Sequence, residues 1–124
     1  MNNLNSILIE GNLVRDAQIK TTEAGNAVCS FTIATNRFHR DADGMAKEVS
    51  YIDVEAWSKT AENCHAKGYK GRGVRVVGRL KQSRWIDARG QSHSRIFIVA
   101  ERVEFRPDLA KQNEPHRDME AVYA

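Results

Sequence analysis

The residues best suited to chemistry lie in a basic segment, Gly73 to Phe105, which also carries a tryptophan. Successive side chains of a β-strand point to opposite faces, so the first half of this segment divides into two sets. One set is apolar and the other is cationic with an indole at its end: Val74, Val76, Gly78 and Leu80 against Arg75, Val77, Arg79, Lys81, Ser83 and Trp85. Cations paired with a ring are typical of a surface that binds a phosphate backbone and stacks bases.

The distribution of charge also favours this segment. Residues 67–106 contain eleven lysines and arginines against three acids, a net charge of +8. Residues 1–66 carry −3 and residues 107–124 carry −2, so the whole chain has a net charge of only +3. Such asymmetry points to a polyanionic partner, although a solvated basic surface would give the same count.

Two further stretches place rings beside polar residues. In a strand predicted over Val49–Trp57, Ile52, Val54 and Ala56 face inward, which leaves Tyr51 and Trp57 on the polar face. This pair predicts a stacking platform, or else cross-strand contacts that stabilise the sheet. Residues 36–48 are polar and form a loop or a long hairpin, with a cluster at its base that serves either binding or solvation: Arg37, Phe38, His39 and Arg40.

Other kinds of site find little support in the sequence. The glycines at 68, 71 and 73 lack the order of a phosphate-binding Walker loop, and Cys64-His65 lacks a second pair of metal ligands. No nucleophile with a base, and no local pair of catalytic carboxylates, can be singled out. We therefore expect a protein that is not an enzyme and needs neither metal nor cofactor.

The two cysteines, Cys29 and Cys64, are too few for a disulfide framework, and Cys29 is predicted to be a small core residue. No apolar run is long enough to span a bilayer, and the N-terminus does not resemble a secretion signal. We expect a cytoplasmic protein that does not bind membranes.

The elements follow from alternation and from turn residues. Strands are predicted over Ile7–Leu13, with a bulge or sharp bend at Gly11, and over Ala27–Thr35, with a short extended piece at Gln18–Thr22 between them. In the second strand Ala27, Cys29, Phe31 and Ile33 should face inward, and Val28, Ser30, Thr32 and Ala34 outward. After Val49–Trp57, Ser58 is predicted to cap a helix over 59–66, with Glu62 in its early turns, that ends at Gly68. A hairpin follows, turning at Gly90.

Three strands, a helix and two strands predict a mainly β fold. This order is that of an OB-fold, a five-stranded, antiparallel Greek-key barrel with one helix between strands 3 and 4, although four strands and a helix also describe other small β folds. Residues 1–106 would form this domain, and residues 107–124 a short, flexible tail.

Four short motifs resemble those of the bacterial single-stranded DNA-binding proteins, an OB-fold family. The likeness runs from about Leu4 to Phe105. Its residues are Gly11-Asn12-Leu13 with Asp16, Phe31 to Asn36, Gly78-Arg79-Leu80 with Trp85, Asp87 and Gly90, and Ile98-Val99-Ala100 with Val103 and Phe105.

The resemblance implies a homotetramer that coats single-stranded DNA in replication, recombination and repair, within the bacterial cytoplasm and on the nucleoid. By the same resemblance the rings that stack on bases are Tyr51, Trp57 and Trp85, with Phe38 or His39 near a fourth position. Nine cations would lie along the path of the phosphates: Arg37, Arg40, Lys70, Arg72, Arg75, Arg79, Lys81, Arg84 and Arg89.

Some positions depart from the family pattern. Ala17 stands where the family usually has proline, Ser58 where it has glycine, and the glycines around Tyr69 form an altered connector. The tail ends in Met119 to Ala124 instead of an acidic, phenylalanine-terminated tip. Recruitment of replication and repair proteins through the tail is therefore left open.

Two other functions remain compatible with an OB-fold. One is a replication-restart accessory that acts mainly through protein partners, and the other is an RNA-binding domain linked to translation. The sequence does not give the size of the binding site, the cooperativity, the preference for DNA over RNA, or whether the copy is chromosomal or carried on a mobile element.

Overall fold

The computed structural model describes residues 1–107, which contain six strands and one helix. In chain order these are β1 (Ile7–Leu13), β2 (Gln18–Thr21), β3 (Ala27–Asp41), β4 (Gly44–Trp57), α1 (Ser58–Lys67), β5 (Gly73–Ile86) and β6 (Ser92–Phe105). The predicted tail lies outside the described residues except for Pro107. Within residues 1–107 no helix is long and apolar enough to cross a membrane.

The strands form one sheet that closes on itself. Their order is β1, β5, β6, β4, β3, β2, and an additional pairing of β1 with β3 completes a ring of five strands. The sixth strand, β2, is attached to the edge of β3 through pairs such as Ile19 with Cys29. A closed five-stranded barrel with one helix confirms the predicted OB-type fold.

Two details of the predicted order were wrong. Gln18–Thr21 is a strand in its own right, because it forms a four-residue ladder with β3, so the helix lies between β4 and β5. The barrel is also not entirely antiparallel. Val54 of β4 pairs with Ile98 of β6 in the parallel sense, as is required where the chain crosses the barrel to insert β6 beside β4.

The polar segment 36–48 is a long hairpin. β3 and β4 pair without interruption from Val28 opposite Trp57 to Asp41 opposite Gly44. The backbone N–H of Asp43 donates to Oδ1 of Asp41 (2.9 Å), which holds the two-residue turn. The outer half of this hairpin therefore extends from the barrel as a two-stranded arm.

The core is built from the inward residues of the barrel strands, as alternation predicted. Cys29, Ile33, Val74 and Val76 are fully buried. Val28 was expected to face outward into solvent, but it is only 4% exposed. It lies on β3 between β2 and β4, opposite Lys20 and Trp57, and these neighbours cover it.

The inward set of β5 also changes character along the strand. Leu80 continues the apolar face of Val74 and Val76, yet it is 43% exposed. Its partner on β6, Ile98, is still buried in the core (1% exposed), whereas the next pair on this face, Gln82 with Ile96, is exposed because the hairpin has left the barrel there. The apolar face predicted from alternation thus ends at Leu80, on the boundary of the core.

Both cysteines are buried as free thiols. Burial raises the pKa of the Cys29 thiol to about 11 and that of Cys64 to about 12. Cys29 therefore has the predicted role of a small core residue, and neither thiol is activated for chemistry.

The barrel closes where β1 crosses from one neighbour to the other. Asn12 pairs with both Gly73 of β5 and Ala34 of β3. A Cβ atom on the preceding Gly11 would lie 2.5 Å from the carbonyl oxygen of Ala34. Glycine at this position permits the close approach.

Helix α1 begins directly after β4, without the predicted cap. Trp57 is the N-cap residue in extended conformation, Ser58 is the first helical residue, and no side chain caps the helix. Glu62 lies beyond the first turn, which contains no acid. Ser58 has a φ of +58°, in the left-handed region that L-residues other than glycine rarely adopt. At the other end, the N–H of Gly68 donates to the carbonyl of Cys64 (2.7 Å), which confirms the predicted end.

Replacing Ser58 by glycine should stabilise the protein. Glycine adopts positive φ without the steric cost that serine has, so Ser58→Gly should raise the free energy of unfolding by about 1 kcal/mol, measured by urea denaturation. Ser50→Gly, the same change at an extended and exposed position of β4, should instead lower it by about 0.5–1 kcal/mol. A loss of stability in both variants would contradict the strain assigned to Ser58.

Candidate nucleic-acid interface

Three of the predicted rings lie on one outer face of the β3–β4 hairpin. Tyr51 and Trp57 are separated by an even number of residues along β4, so they point to the same side. Phe38 joins them, because it pairs with Lys47 and paired residues share a face. The exposed fractions are 63% for Phe38, 67% for Tyr51 and 38% for Trp57. We call this side of the sheet the aromatic face.

His39 and Arg37 lie on the reverse side of the same arm. They occupy the alternate positions of β3, and Nδ1 of His39 lies 3.9 Å from Oε1 of Glu48. Of the two rings that the sequence offered for this position, only Phe38 therefore shares a face with Tyr51 and Trp57.

The aromatic face continues across the barrel to β5. Glu55 pairs with Val99 of β6, and Val99 pairs with Arg79 of β5, so all three residues lie on the outer side. From Arg79 alternation carries the same face to Lys81 and then to Trp85, which is 47% exposed. The structure thus brings together four predicted rings and, from β5, two predicted cations on one continuous surface.

Acids occupy the centre of this surface. Asp53 accepts a hydrogen bond from the hydroxyl of Thr32 (2.7 Å), and Glu55 accepts one from Nε1 of Trp57 (3.0 Å). The second contact fixes the edge of the indole ring. Because carboxylates repel phosphates, the centre of the face suits bases and its margins suit the backbone.

The turn that ends the β5–β6 arm is organised by Asp87. Its Oδ1 accepts the backbone N–H groups of Arg89 and Gln91 (both 2.9 Å), and its carbonyl accepts that of Gly90 (3.0 Å). Gly90 has a φ of +80°, which confirms the positive φ predicted from the sequence. The arm therefore ends in a tightly bonded turn.

His93 is a feature of the arm that the sequence reasoning missed. It pairs with Trp85, and the two rings stack with centroids 5.5 Å apart and planes inclined by 19°. Its Nε2 lies 2.6 Å from Oδ2 of Asp87. This hydrogen bond, followed by the backbone bond from Gln91, holds the pKa of Asp87 below its ordinary value. Trp85 and His93 lie equally far from the turn in the sequence, and this spacing is the signal from which their pairing could have been predicted.

A second missed residue is Arg95, which pairs with Ser83 on the aromatic face. Its guanidinium lies over the ring of Phe97, 4.4 Å from the centroid. It also lines a polar groove beside the barrel, together with Arg15, Asp16, Gln18, Ser30, Thr32 and Asp53 among others. Arg95 thus adds a cation to the margin of the face.

The remaining predicted cations are dispersed. Arg40 lies on the aromatic face of the β3–β4 arm, Arg84 on the reverse face of the β5–β6 arm, and Arg89 in its turn. Lys70 lies in the connector before β5, where its backbone N–H donates to Oδ1 of Asp16 (2.8 Å). Arg75 is paired with Glu10 at 3.1 Å.

Arg72 is occupied by contacts within the protein. Its Nε donates to the carbonyl of Arg106 (2.8 Å) and its Nη1 to the hydroxyl of Tyr69 (3.2 Å). The guanidinium also lies over the rings of Tyr69 and Phe105, at 5.4 and 5.5 Å from their centroids. Partial burial lowers the pKa of Arg72. These contacts tie the connector to the end of β6.

The cysteine and histidine at 64 and 65 do not form a metal site with other residues. Across residues 1–107, no group of three or more histidine, cysteine or acidic side chains is arranged to hold an ion.

Comparison with known proteins gives consistent matches. A family model described as the single-strand binding protein family matches residues 4–106. The chain is 38% identical, over 84% of its length, to the single-stranded DNA-binding protein of Treponema pallidum, of which it covers 58%. It is 39% identical, over 82% of its length, to single-stranded DNA-binding protein 1 of Clostridium acetobutylicum, of which it covers 93%.

A third relative is much longer than this chain. The single-stranded DNA-binding protein of Deinococcus radiodurans is 39% identical over 82% of this chain, which covers only 34% of that protein. Among solved structures, one described as a Plasmodium falciparum SSB complex with ssDNA matches with a TM-score of 0.78. That match has 23% identity and covers 86% of this chain and 98% of the other, so it supports the fold.

Loss of the Arg72 side chain should destabilise the barrel. Arg72→Ala removes three hydrogen bonds, to the carbonyls of Arg106 and Lys67 and to the Tyr69 hydroxyl, and the packing against two rings. The free energy of unfolding should therefore fall by roughly 1–2 kcal/mol in thermal or urea denaturation. Arg79→Ala removes an exposed guanidinium of the same strand region and should change stability by less than about 0.5 kcal/mol. Equal stability of the two variants would contradict the structural role of Arg72.

Proposed function

The chain belongs to the single-strand binding protein family, and we propose that it binds single-stranded DNA without sequence preference, by stacking bases on the aromatic face. The observation that carries this proposal is the exposure of four rings on one continuous surface: Phe38, Tyr51, Trp57 and Trp85. Every base has a face that can stack on a ring, so such a surface tolerates any sequence. His39 is left out of the stacking set because it lies on the reverse side of its arm.

The spacing of the rings suits an extended strand of nucleotides. Tyr51 and Trp57 are six residues apart on β4, which corresponds to about 20 Å along the strand. Trp85 lies on the other side of β6, at the end of a separate arm. A DNA strand that reaches all of these rings must cross the barrel face and follow both arms.

The distribution of charge indicates where the phosphates run. Asp53 and Glu55 keep the centre of the face negative, while Arg40, Arg79 and Lys81 lie on its flanks. We propose that these three cations, with Lys47, Arg89 and Arg95, contact the phosphates. Arg37 and Arg84 are left out because they lie on the reverse sides of their arms. Arg72 and Arg75 are left out because their guanidinium groups already have partners within the protein.

Several parts of the proposal rest on the family alone. They are assembly as a homotetramer, a role in replication, recombination and repair, a location in the cytoplasm on DNA, and binding without catalysis.

Removal of either tryptophan should weaken DNA binding without unfolding the protein. Trp57→Ala and Trp85→Ala should each reduce the binding free energy for oligo-dT by roughly 1–3 kcal/mol, because each removes a stacking partner. Binding is measured by fluorescence anisotropy of a labelled oligomer. Ile86→Ala, which removes an exposed apolar side chain from the same arm, should leave affinity unchanged.

Duplex DNA and an RNA oligomer of equal length complete this experiment. The duplex should bind weakly, because its bases are already stacked on one another. Unchanged affinity in both tryptophan variants would rule out stacking as the mode of binding. Preference for RNA over DNA would assign the surface to RNA instead, since the 2′-hydroxyl distinguishes the two ligands.

Binding should also weaken with salt, in proportion to the phosphate contacts. Arg79→Ala and Lys81→Ala should each reduce the slope of log K against log salt by about 0.7, the value expected for one phosphate on a single strand. Lys59→Ala, in helix α1, serves as the control and should leave the slope unchanged. Identical slopes in all of these variants would remove Arg79 and Lys81 from the phosphate path.

A further inference from the structure

The tip of the β5–β6 arm pairs Trp85 with a second ring, His93, that the family resemblance does not assign to binding. Trp85 and His93 face each other across the hairpin, and their centroid distance of 5.5 Å is typical of stacked aromatic rings. Each ring retains substantial exposure to solvent. His93 therefore covers one side of Trp85 and leaves the opposite side open.

The imidazole is held in place by the turn. Its Nε2 lies 2.6 Å from Oδ2 of Asp87, while Oδ1 of the same carboxylate accepts the N–H groups of Arg89 and Gln91. The carboxylate is thus fixed through one oxygen and orients the histidine through the other. The backbone of the turn thus holds Asp87, Asp87 holds His93, and His93 packs against Trp85.

The two tryptophans of the aromatic face are fixed in different ways. Trp57 is held at its edge, where Nε1 donates to Glu55, and it lies at the junction of β4 and α1. Trp85 lies on a two-stranded arm outside the barrel and is held by the stacked ring of His93. A paired strand without a core beneath it gives little other support to an exposed indole.

We propose that His93 is a positioning residue for DNA binding, which backs the indole of Trp85 so that this ring presents one preordered face to a base. The inference rests on the proposed function, because it concerns the same DNA-binding surface. Binding is weakened by each side chain that must be immobilised when the complex forms. A ring that is already ordered loses less freedom when a base stacks on it, so it weakens binding less. His93 itself need not contact the DNA.

The test uses proteins that carry Trp57→Phe, in which Trp85 is the only remaining tryptophan. Into this parent we introduce His93→Ala, His93→Phe, His93→Gln and, as matched control, Ser94→Ala on the opposite face of β6. Two quantities are measured: affinity for labelled oligo-dT, and the time-resolved fluorescence anisotropy of Trp85 in the free protein. Thermal denaturation verifies that each variant is folded.

We expect His93→Ala and His93→Gln to bind about three- to tenfold more weakly than the parent, a range set by the freedom of one side chain. Both should show faster local motion of Trp85. His93→Phe keeps a ring against the indole without the bond to Asp87, so it should restore affinity to within about twofold and slow the motion again. Ser94→Ala should match the parent in both measurements.

Three results would overturn the inference. Parent-like affinity and anisotropy in His93→Ala would show that Trp85 needs no support. Equal weakness of all three His93 variants, with Trp85 motion unchanged, would show that the imidazole contacts DNA directly. Finally, failure of the unsubstituted protein to bind oligo-dT would refute the proposed function itself, and the inference with it, whereas the first two results leave the proposed function intact.

Discussion

The arrangement of the whole surface depends on the close approach of β1 to β3 at Gly11. At this point β1 leaves β5 and pairs with β3, with no room for a Cβ atom against the carbonyl of Ala34. Closure of the barrel sets the curvature that places β4 and β6 side by side. That parallel contact is the bridge between the two arms, because Glu55 and Val99 join their outer faces. A single glycine is therefore coupled to the relative placement of rings that lie on different hairpins.

On the two arms the side chains are not constrained by packing in a core, so they can be of the types that binding requires. Within the barrel, alternate residues are committed to the core, and Val74, Val76 and Ile98 leave no choice of polarity. From the pair Gln82–Ile96 outward both faces of the β5–β6 arm meet solvent, so cations and rings can occupy either face without leaving a cavity. The same freedom makes the arms weakly supported, since an isolated pair of strands is marginally stable. The bonded turn at Asp87 compensates for the missing core at one tip.

Much of this arrangement could be predicted, because alternation depends only on the local chain. It correctly separated Val74 and Val76 from the cations of β5, and it grouped Tyr51 with Trp57. Positive φ at Gly90 was likewise readable from the turn composition. The burial of Val28 was not, because it depends on β2, a strand whose pairing is a long-range event.

Contacts across strands account for most of what the sequence could not provide. In the sequence Arg72 is like any other cation of the basic segment. In the folded barrel its guanidinium contacts Tyr69, Phe105 and Arg106, and the last two come close to it only when β5 and β6 pair. The register of β6 shifts at Glu101. Arg102 pairs with Val77 of β5 and Ala100 pairs with Gly78, so Glu101 between them has no partner on β5. Such a bulge reverses the inward and outward sets of a strand, so alternation read through it gives the wrong face.

The charges of the face also explain how a protein that binds DNA as proposed could carry a net charge of only +3. A nucleotide presents two different surfaces, a neutral base and an anionic phosphate, and they need different environments. Asp53 and Glu55 lie between the rings, where they orient Trp57 and Thr32 and disfavour a phosphate. Cations on the flanks attract it. Acids at the centre therefore keep phosphates away from the rings, where the bases stack. In the proposed complex, the difference in charge between the centre and the flanks of the face orients the DNA strand more than the total charge of the protein does.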